Sequence, residues 1–302
     1  MSSIIDVRGL TKSFNEITAV DDLTFTVKEK GVYGFLGQNG AGKSTTIRML
    51  LSLIRPTNGE IKIFGLDLST HRKEILKRIG AIIEKPDLYK YLTAIENLNL
   101  FATMSGLKLR RKQLMDKLEK VGLAERADSK IKTYSQGMKQ RLGIAVALVH
   151  DPDLIILDEP MNGLDPQGIA DIRHLINHLS KDHGKTIFIS SHLLSEMEQV
   201  ADSLLIIHKG KKIAEGNMNE LLNPEQSRIE VETRAAKEFE LLLKQTSWAD
   251  KIISINGQKI IMQMRREEVP VFIRQMSEMK QDIYSIHKKN SLEDYFLALT
   301  SH

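Results

Sequence analysis

The sequence predicts an α/β protein, in which a mixed, mostly parallel sheet is covered by helices and a small α+β domain follows. Short apolar runs typical of buried strands recur at Leu154–Leu157, 186–189 and 204–207. Segments with helical spacing lie before and between them, at 138–150, 167–181 and 193–200. Buried strands that alternate with helices favour a parallel sheet covered on both faces. The pattern changes near Gly216, which predicts two domains, 1–216 and 217–302.

The first domain is expected to begin with an antiparallel β subdomain. Apolar and polar residues alternate up to about residue 27, as strands with one face in water do. The apolar run 31–36 then predicts a buried strand. Residues 45–54 have the spacing of a helix, and residues 61–64 are typical of a further strand.

A helical subdomain is predicted at about 86–150, inserted into the first domain. Thr93 and Glu96 have the spacing of a capping box, in which each side chain accepts a hydrogen bond from a free backbone N–H group at the start of a helix. Leu114 and Leu118 mark one face of a second, amphipathic helix.

The second domain is predicted to have a ferredoxin-like fold. Its order is strand, helix, hairpin, helix and strand, at 229–233, 235–244, 251–264, 269–279 and 283–287. Asn256 and Gly257 predict the hairpin turn, because Asn-Gly suits the positive φ angles of a tight turn. This order of elements is the one found in ferredoxin-like units.

Composition and charge exclude several classes of protein. The 302 residues include no cysteine, which excludes disulfides and cysteine-based zinc or iron–sulfur sites. No apolar run approaches the roughly 18–20 residues that cross a bilayer, and no secretion signal is present, so we expect the chain in the cytosol. The net charge of +4 comes from scattered basic residues without interleaved aromatics. We interpret them as solvated surface, and no nucleic-acid partner is expected.

The segment 37–45 carries the most specific motif. Gly37 and Gly42-Lys43-Ser44 fit the pattern G-x-x-x-x-G-K-[ST], between a predicted strand and a predicted helix. Glycines let successive backbone N–H groups face one centre, and the helix N-terminus adds positive charge there. Lys43 is expected to reach the β- and γ-phosphates, and the Ser44 hydroxyl to bind Mg²⁺. The predicted nucleotide-binding residues are Gly37, Asn39, Gly40, Ala41, Gly42, Lys43, Ser44 and Thr45. The alternative is an ordinary glycine-rich turn.

Two carboxylates, Asp158 and Glu159, directly follow the buried run Leu154–Leu157. A buried strand would deliver both acids to the edge of the sheet, beside the phosphate-binding loop. Asp158 would then hold Mg²⁺, through water, and Glu159 would orient or deprotonate the attacking water. The alternative is a solvated turn.

From residue 10 to residue 216, these features resemble the ATP-binding cassette (ABC) family. The resemblance implies ATP as the nucleotide and a site completed by a second subunit. A homodimer is expected, and the alternative is a heterodimer with a paralogous chain. Ser135 and Gly137 match the family's signature loop, although Tyr134, Gln136 and Met138 depart from its commonest form. The match implies that Ser135 and Gly137 contact the nucleotide of the second subunit. The alternative is a loop that only caps a helix.

Three further residues match family positions. Asp165 lies in a segment that resembles the loop linking the two active sites, which places it among the nucleotide-binding residues. His192 follows the predicted strand 186–189 and matches the histidine that contacts the γ-phosphate, so we group it with Glu159 as catalytic. Phe14 matches the aromatic residue that stacks on adenine. The alternatives are a surface or capping histidine and a phenylalanine of the core.

Glu84 departs from the family pattern. The family usually has glutamine at this position, where the side chain approaches Mg²⁺ and senses the γ-phosphate. The resemblance therefore implies that Glu84 lies near the nucleotide and the metal. A carboxylate can still face Mg²⁺, but it adds negative charge near the phosphates. The alternative is that Glu84 points into solvent.

The Glu84 context, the run 134–141 and the small second domain together resemble the ATPase subunits of bacitracin-type and lantibiotic-immunity exporters. The resemblance implies peptide-antibiotic export, separate integral-membrane permease subunits, and a peripheral location on the cytoplasmic face of the membrane. Three alternatives stay open. They are a motor for import or other cargo, a soluble ABC ATPase that acts on nucleic acid or the ribosome, and a module that binds ATP without hydrolysing it. The last would predict loss of Glu159 or His192, and both are present.

Overall fold

The computed structural model describes residues 2–221, 228–234 and 236–288, and the chain divides into two units, Met1–Gly216 and Asn217–His302. Within those described ranges, no helix is both long enough and apolar enough to span a bilayer.

As far as the structure describes it, the first unit contains ten strands and seven α-helices. The strands are β1 (Ser3–Phe14), β2 (Ile17–Lys28), β3 (Gly31–Leu36), β4 (Asn58–Ile63), β5 (Leu66–Asp67), β6 (Ile79–Ile82), β7 (Leu154–Leu157), β8 (Thr186–Ser191), β9 (Ser203–His208) and β10 (Lys211–Asn217). The helices are α1 (Lys43–Leu50), α2 (Arg72–Leu76), α3 (Ala94–Met104), α4 (Arg111–Lys120), α5 (Gln136–Ala147), α6 (Pro166–Lys181) and α7 (Leu194–Val200).

The strands of the first unit form two sheets that share one core. The first sheet is antiparallel, with the order β2-β1-β4-β5. The second has the order β10-β9-β3-β8-β7-β6, and its strands β9, β3, β8, β7 and β6 run parallel. Phe25 of β2 stacks on Tyr33 and Phe35 of β3, with ring centroids 6.1 Å apart in each pair. The predicted antiparallel β subdomain and the predicted parallel sheet are both confirmed.

Helices α3, α4 and α5 form a group between β6 and β7. Thr93 and Glu96 make the predicted capping box at the start of α3, since the Thr93 N–H donates to Glu96 Oε2 (2.7 Å) and the Glu96 N–H donates to Thr93 Oγ1 (3.3 Å). Leu114 and Leu118 of α4 are buried, as the amphipathic pattern predicts. Helix α5 packs against α3, α4, α6 and β6, so it connects this group to the sheet.

One local prediction is wrong in its bounds, and one strand was not predicted. The helix expected at 45–54 spans Lys43–Leu50, because Ser52 adopts a left-handed conformation with φ of 53° that ends the helical path. Strand β6 lies outside the predicted elements, and at four residues its run Ile-Gly-Ala-Ile is short and interrupted by Gly80.

The second unit has the ferredoxin-like order of elements. After a short helix α8 (Met218–Leu221), it contains β11 (Arg228–Thr233), α9 (Ala236–Leu243), β12 (Ile252–Asn256), β13 (Lys259–Gln263), α10 (Val269–Glu278) and β14 (Ile283–Lys288). The sheet order is β12-β13-β11-β14, with antiparallel neighbours throughout. Phe239 and Phe272, one from each longer helix, are fully buried in its core.

One detail of the second unit differs from the prediction, and another is not tested. Asn256 pairs with Lys259, so the two-residue turn consists of Gly257 and Gln258 rather than Asn256 and Gly257. Gly257 has a φ of 62°, which glycine adopts without strain. Ala235, predicted as the first residue of the helix, lies outside the described residues.

Candidate nucleotide-binding site

The site lies at the edge of the sheet where the parallel strands end. Parallel strands deliver the residues that follow them to the same edge, where ligands bind in open α/β sheets. The phosphate-binding loop follows β3, the two acids follow β7, and His192 follows β8. The Gly37 N–H donates to the Ser191 carbonyl (3.2 Å), which ties the start of the loop to the end of β8.

The loop needs glycine at its two defining positions for steric reasons. A Cβ atom on Gly37 would lie 2.7 Å from the Ile207 carbonyl oxygen. A Cβ atom on Gly42 would lie 2.5 Å from the Ala19 carbonyl oxygen, and Gly42 also has a φ of 104°. Helix α1 begins at the next residue, so the free N–H groups of its first turn directly follow the loop. This geometry suits the predicted role of the loop as an anion-binding turn.

Lys43 is folded into the loop. Its side chain is 6% exposed, and Nζ donates to the carbonyl oxygens of Gly37 (2.6 Å) and Gln38 (3.2 Å). Nζ also lies 3.1 Å from Glu159 Oε1, an ion pair without hydrogen-bond geometry. The ammonium group thus links the loop to the carboxylate that follows β7.

The two acids have different surroundings. Asp158 is 1% exposed and accepts a hydrogen bond of 2.5 Å from the Ser190 hydroxyl. Glu159 Oε2 lies 2.7 Å from His192 Nδ1, and its backbone adopts a left-handed φ of 49°. Such backbone strain is concentrated at functional sites, where the surrounding structure enforces it. The structure therefore brings Lys43, Glu159 and His192 into one connected group.

Ser190 is a member of this site that the sequence analysis missed. Its hydroxyl donates to Asp158 and accepts from the Glu159 N–H (2.9 Å), so it holds both acids. The sequence feature that could have indicated Ser190 is the polar end of a mostly apolar strand. Ser190 and Ser191 are the last two residues of β8, immediately before His192.

Glu84 lies two residues beyond β6, and among the described residues no hydrogen bond or ion pair joins its side chain to Ser44. Its side chain is 67% exposed, and Oε1 pairs with Arg48 Nη2 at 2.6 Å. Arg48 lies four residues after Ser44 on α1, so the two side chains share a helix face one turn apart. Glu84 also has a left-handed φ of 62°. Its carboxylate is therefore beside the helix that follows the loop, paired with an arginine, and most of the side chain is exposed to solvent.

Phe14 is at the end of β1 and is 48% exposed. Lys12 Nζ lies 4.9 Å from the centroid of its ring. The partner strand β2 contains Ala19, whose carbonyl oxygen adjoins Gly42, so this hairpin borders the phosphate-binding loop. An exposed aromatic ring beside the loop suits a base-stacking role.

Ser135, Gly137 and Asp165 lie apart from this group. The Ser135 hydroxyl accepts from the Met138 N–H at the start of α5, and Asp165 Oδ1 accepts from the Gly168 N–H at the start of α6. The two helix starts are close, because a Cβ atom on Gly137 would lie 3.7 Å from Gly168 Cα. Among the described residues, no hydrogen bond or ion pair joins these three residues to segment 37–45.

The donor set around the loop suits Mg²⁺ only in combination with phosphate. In the described ranges, no group of three or more His, Asp and Glu side chains could hold a metal ion. Mg²⁺ usually keeps several waters and takes one or two protein oxygens together with substrate phosphates. The Ser44 hydroxyl and the buried Asp158 carboxylate have the oxygen donors that such a site requires.

Comparison with known proteins places the chain in a family. Residues 20–162 match the ABC transporter family. The chain is 41% identical to an uncharacterized ABC transporter ATP-binding protein, YhcH of Bacillus subtilis (strain 168), over 99% of this chain and 97% of that protein. It is 48% identical to the bacitracin transport ATP-binding protein BcrA of Bacillus licheniformis, over 81% of this chain and 80% of that protein. This similarity confirms the resemblance to the bacitracin-type branch.

A solved structure gives the same result for the fold. The dimeric structure of the ATP-binding cassette MJ0796, in a post-hydrolysis state bound to ADP and Pi, superposes with a TM-score of 0.64 at 25% identity. The match covers 71% of this chain and 98% of that chain. The chain therefore belongs to the ABC transporter family, as a subunit that binds and hydrolyses ATP.

Proposed function

We propose that this chain is the motor of an exporter for peptide antibiotics or related drugs, of the bacitracin and lantibiotic type. The observation that carries the proposal is the 48% identity to the bacitracin transport ATP-binding protein over 81% of the chain. Separate integral-membrane permease subunits would form the path of the cargo. The chain would act as a peripheral protein on the cytoplasmic face of the membrane, and no nucleic acid would take part.

The proposed chemistry is hydrolysis of the γ-phosphate bond of ATP. Residues 37–45 would bind the phosphates, with Lys43 at the β- and γ-phosphates, and Phe14 would stack on adenine. Glu159 would orient the attacking water and take its proton as the water oxygen bonds to the γ-phosphorus and the bond to ADP breaks. His192, 2.7 Å from Glu159, would hold this carboxylate and contact the γ-phosphate.

Ser44, Asp158 and, after a movement away from Arg48, Glu84 would supply protein oxygens for Mg²⁺. The ion would neutralise charge on the β- and γ-phosphates. The burial of Asp158 and its hydrogen bond to Ser190 support this assignment. A carboxylate that is already fixed in one conformation loses little conformational entropy when it binds an ion.

A second copy of the chain would complete the site. Ser135, Gly137 and Asp165 would act across the interface between the two subunits, at the nucleotide held by the partner. Their separation from residues 37–45 within one chain supports this arrangement, as does the similarity to a dimeric cassette. The domains would be the nucleotide-binding domain, 1–216, with its helical subdomain at about 86–150, and an accessory domain, 217–302, of ferredoxin-like fold.

Drug resistance tests the proposed cargo. The chain would be co-expressed with candidate permease subunits, in a bacterium sensitive to bacitracin and lantibiotics. The minimal inhibitory concentration should rise with the wild type and not with Glu159→Gln, a variant that keeps the size of the side chain. If the transporter purified from these cells hydrolyses ATP but their sensitivity to all of these peptides is unchanged, the proposed cargo is ruled out. The assignment of ATPase activity would still hold.

A further inference from the structure

A second polar cavity lies at the opposite edge of the parallel sheet from the phosphate-binding loop. It measures about 210 Å³ and lies between α4 and the turns that lead into β7 and β8. Its charged and titratable lining consists of Lys117, Lys120, Asp151, His183 and Lys185. None of these residues belongs to the candidate nucleotide site.

The cavity has more positive than negative charge. Lys185 Nζ pairs with Asp151 Oδ1 at 2.9 Å, and Asp151 is the one carboxylate in the lining. Lys117 Nζ donates a single hydrogen bond, to the Leu148 carbonyl oxygen (3.1 Å). Within the described part of the chain, Lys120 has neither a hydrogen-bond partner nor an ion-pair partner. Several ammonium N–H donors therefore remain for a ligand.

The positive charges are close enough to act on one another. Burial lowers the pKa of Lys117, and the charges of Lys120 and Lys185 lower it further against the opposing effect of Asp151. Burial also lowers the pKa of His183, with Lys120 as the next cause. Burial disfavours a charge of either sign, whereas the charges of Lys120 and Lys185 disfavour only an added positive charge and would attract a negative one.

We propose that this cavity binds a small, multivalent anion of the phosphate class through Lys117, Lys120 and Lys185. Lysine binds phosphate as a compact point charge with three donors. The volume is below the range of about 300–1,000 Å³ that is typical of sites for drug-sized ligands, which suits one or two phosphoryl groups without a large organic part.

The bound anion would connect two parts of the first unit. Lys117 and Lys120 are on α4, in the helical group, whereas Lys185 directly precedes β8 in the sheet. An anion between them replaces repulsion with attraction across this junction. The expected consequence is a more stable first unit when the anion is bound.

Calorimetric titration with inorganic pyrophosphate tests the proposal. The full-length protein would be saturated with ADP, so that residues 37–45 are not available to the probe, and ionic strength would be fixed with NaCl. We expect one saturable site. The affinity should fall at least tenfold in Lys117→Gln/Lys120→Gln. It should also fall measurably in Lys120→Gln alone, a change at an exposed residue for which the described part of the chain shows no hydrogen-bond or ion-pair partner.

The matched control is Lys112→Gln, on the same helix but outside the cavity, which should bind pyrophosphate as the wild type does. All variants should bind ADP normally, which shows that they are folded. Absence of a saturable site, or equal affinity in the wild type and Lys120→Gln, would overturn the proposal. Pyrophosphate binding that is seen without ADP but not with ADP would also overturn the proposal, because the probe would then occupy the phosphate-binding loop.

Discussion

Replacing Ser190 with alanine tests the architecture of the acid pair. The hydroxyl donates to the fully buried Asp158 carboxylate at 2.5 Å and accepts from the Glu159 N–H at 2.9 Å. A hydrogen bond to a charged group contributes about 1.5–3 kcal/mol, and a neutral one about 1 kcal/mol. Ser190→Ala should therefore reduce the free energy of unfolding of the first unit by about 2–4 kcal/mol. It should also reduce ATPase activity, because both acids lose the group that positions them.

Ser191→Ala is the matched control for this variant. Ser191 is the neighbouring residue on β8, and its hydroxyl accepts one bond, from the Leu193 N–H (2.9 Å). That loss should cost about 1 kcal/mol. The sole tryptophan, Trp248, lies in the second unit, so its fluorescence reports the wrong part of the chain. Hydrogen exchange of the β7 and β8 amides in increasing urea measures the first unit directly. Equal destabilisation by the two variants would refute the role assigned to Ser190.

Three further predictions concern other residues. Glu84→Gln should leave ATP affinity unchanged but alter the ATPase rate, and an unaltered rate would indicate a surface role. Arg48→Gln should change the free energy of unfolding by less than about 1 kcal/mol, as expected of an exposed ion pair. Phe14→Ala should weaken ATP binding by about 1–3 kcal/mol in calorimetry, and unchanged affinity would contradict adenine stacking. Burial lowers the pKa of His150, so the unfolded chain takes up the proton first and stability should fall as the pH drops through about 6.5. His150→Gln should flatten this dependence in urea titrations from pH 8 to pH 5, and an unchanged slope would contradict it.

The predictable parts of the fold are those determined by residues that are close together in the sequence. Strands β3 and β7 have the predicted bounds because each is a short run without charged residues that the protein buries completely or nearly so. The capping box of Thr93 and Glu96 forms as predicted because both partners lie within one turn of the same helix. These features depend on neighbours in the sequence, which a pattern can show.

Other features depend on contacts between distant segments. Gly80 interrupts the apolar run of β6, and the structure explains it, because a Cβ atom there would lie 2.2 Å from the Ala147 carbonyl oxygen at the end of α5. A sequence pattern cannot show that a helix passes this close. The role of Ser190 also depends on a contact between distant segments, because Ser190 reaches the two acids only if β7 and β8 are parallel neighbours. In the structure they are, with Ile156 beside Phe188.

The candidate site was predictable in its residue types but not in all of its contacts. The sequence motifs indicated Lys43, Glu159 and His192, and the fold brings their side chains into contact. The pairing of Glu84 with Arg48 was not foreseeable, because it joins the end of β6 to the second turn of α1. The catalytic and metal-binding roles of these residues stay predictions.

The ATPase rate of Glu159→Gln tests the central claim most directly. The variant keeps the size of the side chain and removes the carboxylate that contacts Lys43 and His192. A general base contributes about 10²–10⁴-fold to a reaction rate. We predict that Glu159→Gln binds ATP as the wild type does and loses hydrolysis by about that factor. Hydrolysis at a rate near that of the wild type would contradict the assignment of Glu159 and with it the proposed mechanism.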